Sequence, residues 1–116
     1  MKVIMIVYQD EAASKVATEQ QMAASLDRFN VFHDKVASSG HLKDSFRLLH
    51  SDRAKLVSVR DQKTIAVDGP YAETKEQLGG FYLMECADID EAIELAARIP
   101  TAGSGYIEIR PLFGEA

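Results

Sequence analysis

The most distinctive chemistry-bearing segment of the sequence is Asp68-Gly69-Pro70-Tyr71-Ala72-Glu73-Thr74-Lys75-Glu76-Gln77-Leu78-Gly79-Gly80. Asp68 can act as a general base or orient a histidine. The simpler reading is that its carboxylate accepts backbone N–H groups and holds the turn that follows. Gly69 precedes a proline and is pushed towards extended backbone, while Pro70 fixes its own φ, so the chain turns sharply with little freedom. Glu73 and Lys75 project from the same loop, either solvated or set to meet a polar ligand. Tyr71 is a candidate lid or pocket wall, with packing the simpler reading. Thr74 to Gln77 fit the cap of a short helical turn. Gly79-Gly80 permit close backbone approach before the next strand. Rigid polar loops of this kind often carry sites.

Few other residues offer chemistry. His33 stands within an apolar helical stripe. There it is either a packed histidine bonded to backbone or a general base titrating near neutrality with Asp68 as partner. His41 and His50 flank a strand and read as surface or turn residues. Glu108 and Arg110 lie two apart on a strand and share a face. A cross-strand ion pair is the default there, and Arg110 gripping a ligand carboxylate is the alternative. Cys86 ends a strand among apolar neighbours and reads as buried and inert. Ser38, Ser39 and Ser45 lack a nucleophile-elbow context. No phosphate-binding loop, dinucleotide fingerprint or metal motif is present, so no cofactor or metal is expected.

The elements that must position these residues follow from periodicity. Val3 to Tyr8 is a short apolar run, read as a central strand covered on both faces. Thr18-Glu19-Gln20-Gln21 is a capping box. Met22, Leu26, Phe29, His33 and Val36 follow at steps of four and three, forming one helical stripe, and Gly40 suits a left-handed C-cap. Strands are expected at 43–50, 55–60 and 64–67, the last two joined by Asp61-Gln62-Lys63. Another strand covers 80–86. Asp88 caps a second helix with a stripe of Ile89, Ala92, Ile93, Ala96 and Ile99, and Pro100 stops it. Tyr106 to Arg110 is the last strand.

This β-α-β-β-(β)-β-α-β order predicts one α+β domain with a ferredoxin-like, split βαβ antiparallel sheet and both helices on one face. Several strands are apolar at both parities: Phe81 and Leu83 against Tyr82 and Met84, and Phe46 and Leu48 against Leu49. The face away from the helices therefore needs cover, and a second copy across a two-fold axis is the simplest. The 116 residues suit a single small domain. The net charge is −5, with 13 Lys and Arg scattered among 18 Asp and Glu. Direct nucleic-acid binding is not expected, because phosphate contacts need a basic stripe. A single cysteine suits a reducing cytosol, and no run is long enough to span a membrane.

The run Asp68 to Glu76 closely resembles the signature of the DGPF branch of the YciI-related (YCII) family. Leu78-Gly79-Gly80-Phe81-Tyr82-Leu83, the helix from Asp88 to Pro100, and Ile107-Glu108-Ile109-Arg110-Pro111 are similar to that branch as well. Tyr71 stands where the signature has Phe. The resemblance implies a dimeric α/β barrel of ferredoxin-like subunits, and a link to sigma-factor signalling. YciI-like chains can carry a His-Asp pair in a cleft. Their histidine falls near Phe29 here, one turn before His33. Two functions are therefore carried forward. One is a dimeric small-molecule-binding or regulatory module, with Gly69, Pro70, Tyr71, Glu73, Lys75 and Arg110 around the ligand. The other is an enzyme doing acid-base chemistry on a small polar or aromatic compound, with Asp68 and His33 as the catalytic pair.

Overall fold

The computed structural model describes residues 1–115. Strand β1 (Lys2–Asp10) takes up the first apolar run, with Val3, Met5 and Val7 buried and Ile4 and Ile6 half-buried. Asp10 ends the strand and caps helix α1 (Glu11–Lys15), accepting from the N–H groups of Ala12 (3.1 Å) and Ala13 (3.3 Å). This helix was not expected, since five residues are too few to display a helical period. Helix α2 (Glu19–Ser38) starts with the full capping box. Thr18 Oγ1 accepts from Gln21 N–H at 3.1 Å and Gln21 Oε1 accepts from Thr18 N–H at 2.9 Å. Gly40, at φ +81°, turns the chain out of it.

Strand β2 (Leu42–Arg47) ends three residues earlier than expected, because Ser51–Arg53 form a 3₁₀ turn that needs a lead-in. Strands β3 (Lys55–Arg60) and β4 (Lys63–Asp68) form a hairpin. Its two loop residues, Asp61 and Gln62, have φ +50° and +63°, the left-handed pair that matches strand twist. Strand β5 (Glu76–Glu85), helix α3 (Ile89–Ala96), a 3₁₀ turn at Pro100–Gly103 and strand β6 (Tyr106–Pro111) complete the chain.

The main sheet is antiparallel in the order β2-β5-β1-β6, which is compatible with a ferredoxin-like α+β fold. The β3–β4 hairpin is a separate two-stranded sheet. The core lies between one face of the main sheet and the long helices, with Met5, Met84, Val3 and Ile99 fully buried at its centre. Phe32 meets Tyr82 edge to face at 5.4 Å, a favoured aromatic geometry.

Both helical stripes differ from expectation. On α2 the buried residues are Phe32 and Val36, with Phe29 packed beside them, while Met22 and Leu26 are each 51% exposed and His33 lies on the surface. Positions 29, 32 and 36 also step by three and four, and the Phe32 ring on Tyr82 decides between the two stripes. On α3 the buried face is Ala92, Leu95 and Ala96, with Ile89 and Ile93 exposed, because the small alanines let the helix approach the sheet.

At Gly105 an added Cβ would stand 2.2 Å from the Tyr8 carbonyl oxygen. Gly105→Ala is expected to lower stability by about 1–3 kcal/mol through backbone overpacking. Met5→Ala should cost about 2–5 kcal/mol by leaving a core cavity. Urea denaturation midpoints measure both.

Candidate functional site

The Asp68 loop returns to the main sheet at one end. There β1 finishes at Gln9 and Asp10, β5 begins at Glu76, and the β2–β3 connection passes over them. Three contacts gather these segments. Leu48 N–H donates to the Gly79 carbonyl at 3.0 Å, and Gly69 N–H donates to the Ala54 carbonyl at 2.9 Å. Lys75 Nζ lies 3.7 Å from Asp10 Oδ2. Glycine is required at Gly69, where a Cβ would sit 2.9 Å from Ala54 Cβ, and at Gly80, where it would sit 2.5 Å from the Phe46 carbonyl oxygen.

Of the residues named from sequence, Asp68, Gly69, Pro70, Tyr71, Glu73 and Lys75 lie at this end, while Arg110 pairs with Ile4, well back along β1, and His33 lies on α2. Asp68 stands opposite Lys55 across the hairpin and forms an ion pair with it. Its carboxylate therefore does not hold the turn, as the simpler reading had it. The backbone bond from Gly69 does, and the Gly69–Pro70 peptide is cis. Thr74 to Gln77 do not form a helical turn. Thr74 Oγ1 donates to the Glu76 carbonyl, and Gln77 Nε2 donates to the carbonyls of Ala72 and Thr74, tying the loop to itself. Tyr71 is 91% exposed rather than packed, because no element lies over this loop among the described residues. Glu73 is exposed beside it.

His33 sits on the surface of α2 with Nδ1 3.7 Å from Asp34 Oδ1. Among the described residues no hydrogen bond or ion pair joins it to Asp68. Arg110 pairs in register with Ile4, and Glu108 with Ile6, so both occupy the sheet face turned away from the helices. Glu108 takes a cross-strand hydrogen bond from the Tyr8 hydroxyl at 3.1 Å in place of the cross-strand ion pair expected. Desolvation, then that bond and the Glu108 charge, raise the Tyr8 phenol above its ordinary pKa.

A second group at this end was missed. Glu11 is 8% exposed. It accepts from Ser51 N–H at 2.6 Å and from the Ser51 hydroxyl. Beside it, Ser14 Oγ lies 3.4 Å from His50 Nε2, and Lys15 pairs with Asp52 at 3.7 Å. His50 also lines a pocket of about 360 Å³ with Arg47, Leu48 and Leu49. His50 is thus half-buried and bonded rather than a plain turn residue. His41 is too, held between Ser39 Oγ (2.6 Å) and Glu91 Oε1 (3.0 Å). The sequence carried one signal for the missed group: carboxylates at Asp10 and Glu11 immediately beyond the end of an apolar strand.

Arg47 brings a charge and His50 a hydrogen-bonding ring nitrogen to this pocket. The Ser14–His50 contact offers a proton path, but Glu11 bonds Ser51 and not His50, so no three-member relay is assembled. Among the described residues no group of three or more His, Cys, Asp or Glu is placed to hold a metal. Cys86 is 2% exposed, and burial followed by the nearby Glu91 charge raises its thiol pKa.

The family model of the YCII-related domain matches residues 1–115. The chain belongs to the YCII-related family. Within it, an uncharacterised protein from Rhizobium meliloti (strain 1021) is 34% identical over 110 residues, covering 93% of this chain and 89% of the relative. The match to the YCII-related domain takes in the hairpin and the Asp68 loop as well as the main sheet and helices.

Two outcomes separate structural from peripheral groups in this YCII-related chain. Glu11→Ala strands a Ser51 N–H and is expected to cost about 1–3 kcal/mol. Asp68→Asn removes an exposed pair and should cost under about 1 kcal/mol. Denaturation midpoints of the two variants are the check. Cys86 should react with a thiol reagent slowly at neutral pH in the folded protein and at once in denaturant, read by absorbance.

Proposed function

We propose that this YCII-related chain works as a homodimer that binds a small polar or aromatic molecule at the end of the sheet beside the Asp68 loop. The observation that carries this reading is the apolar surface the chain cannot cover by itself. Ile4, Ile6, Phe81 and Leu83 are half-buried on the open face, and Phe46 is 52% exposed next to the Phe81 ring. The hairpin adds Val57 (67% exposed) and Val59 (59%) on one side, with Ile65 (42%) and Val67 (52%) on the other.

The overall shape supports the same reading. The radius of gyration is 16.2 Å, where a compact chain of this length has about 13 Å. The molecule is a slab of 48 × 42 × 19 Å. A twin laid on the open face by a two-fold axis would hide the apolar strands and give the hairpin a surface to grip, closing an α/β barrel. In that assembly Gly69, Pro70, Tyr71, Glu73 and Lys75 border the dimer seam at the loop end, where a ligand can be enclosed by both copies, while Arg110, paired with Ile4, stands farther along the open face. The likeness of Asp68 to Glu76 to the DGPF signature supports a regulatory role alongside sigma factors. The lone Cys86, free of any disulfide, supports a reducing cytosol.

A second reading, an enzyme of acid-base type, is favoured by one contact: His50 Nε2 beside Ser14 Oγ, next to the buried Glu11. It moves the candidate base from His33 to His50.

Sedimentation equilibrium tests the assembly. A dimer is expected at micromolar concentration, and Phe46→Asp or Val57→Asp should dissociate it without loss of helix content. A stable monomer of the unaltered chain overturns the proposal. For the ligand, a thermal-shift screen of small aromatic and polar acids should raise Tm in the unaltered chain. Consumption of the stabilising compound, lost in His50→Gln while the stabilisation persists, would establish the enzyme reading instead.

A further inference from the structure

The helical side of the molecule carries a cleft of about 690 Å³ between α2 and the end of α3. That volume lies within the range of about 300–1,000 Å³ usual for small-molecule sites. Its floor is apolar, made by Phe32, Val36 and Leu95, each less than a tenth exposed. One wall is the ridge Arg28, Val31 and Lys35 of α2, at steps of three and four. Val31 is 55% exposed there, a β-branched apolar residue left in water between two cations.

Charge sets the character of this cleft. Arg28, Lys35 and Arg98 line it against a single carboxylate, Asp27, in a chain whose net charge is −5. Arg98 is tied to Glu94 at 2.9 Å. The other Lys or Arg side chains with ion pairs among the described residues are Lys15, Lys55 and Lys75. Arg28 and Lys35 are not among them. His41 closes one end of the cleft, already engaged by Ser39 and Glu91.

We infer that the cleft between α2 and α3 is a binding site for a small amphiphile with an apolar body and an anionic head group. The body lies on Phe32, Val36 and Leu95 and covers Val31, and the head is held by Arg28 and Lys35 at the rim. The dimensions favour a small molecule over a partner helix. Arg28 to Lys35 are seven steps apart, about 10 Å of rise, and α3 has eight residues, so the walls are too short to seat several turns of a helix. The cleft lies on the opposite side of the sheet from the open face, so it stays accessible whether or not two copies pair there.

The test uses the whole chain and three probes of one length: decanoate, decyl phosphate and decanol. In isothermal titration, decanoate or decyl phosphate should bind saturably, and decanol at least about tenfold more weakly, because only the anions meet Arg28 and Lys35. Raising the salt concentration should weaken the anions and leave decanol unchanged. The double variant Arg28→Gln/Lys35→Gln should weaken anion binding at least about tenfold at unchanged Tm, and Val31→Glu should abolish it. Amide NMR shifts should cluster at Val31, Lys35, Leu95 and Arg98. Binding by one anion and not the other would assign the head group as carboxylate or phosphate, within the same inference. Equal affinity for decanol, unchanged affinity in the double variant, shifts centred on Ile4 and Phe81, or no saturable binding of either anion would each overturn it. So would an acidic amphipathic peptide that binds the cleft where both anions fail.

Discussion

Val3, Met5 and Val7 lie under the helices from β1, while Ile4 and Ile6 of the same strand lie on the opposite face. Phe81 and Leu83 repeat this on β5 against Tyr82 and Met84. The two central strands of the sheet are thus apolar on both sides, and the long helices α2 and α3 can shelter one. Much else in the structure bears on that imbalance. The core is one layer thick, the molecule is a slab, and the β3–β4 hairpin stands apart from the main sheet with apolar side chains on both its faces. Apolar area of this kind is worth about 25 cal/mol per Å² to remove from water.

The candidate site depends on how the end of that sheet is tied down. β1 hands over to α1 through the Asp10 cap, which brings Glu11 beneath the β2–β3 connection and lets it accept both donors of Ser51. The same connection receives Gly69 N–H and donates to Gly79, so the hairpin base, the Asp68 loop and the start of β5 are mutually fixed. This end of the sheet is therefore held by a frame of backbone bonds and one buried carboxylate. Asp68, the residue with the clearest chemical character, pairs with Lys55 outside that frame. The α2–α3 cleft draws its charge from a separate surface and does not share these supports.

Much of the fold was legible in local pattern. The Thr18–Gln21 capping box, the Asp88 cap, the turn out of α2 at Gly40 and the short turn at Asp61-Gln62-Lys63 each act over a few residues, and each is present, the last shortened to Asp61-Gln62 because Lys63 already belongs to β4. The helical stripes were less legible. α2 carries apolar residues at Met22, Leu26 and Val31 as well as at Phe29, Phe32 and Val36, so two faces satisfy a 3.6-residue period. The candidate site was legible only in part. The Asp68 loop was recognisable from its composition, yet nothing local linked Glu11 with Ser51 or Ser14 with His50, which lie 40 and 36 residues apart.

The sequence alone determined the type and order of the six strands and of helices α2 and α3, their caps, the family likeness and the excess of apolar strand surface, because these depend on residue type and short-range spacing. Tertiary structure alone decided the strand order β2-β5-β1-β6, the separation of the hairpin, the buried face of each helix and the neighbours of each titratable group. Those are contacts between distant segments. They are selected by shape and by the satisfaction of buried polar groups, neither of which is written in any short stretch of chain.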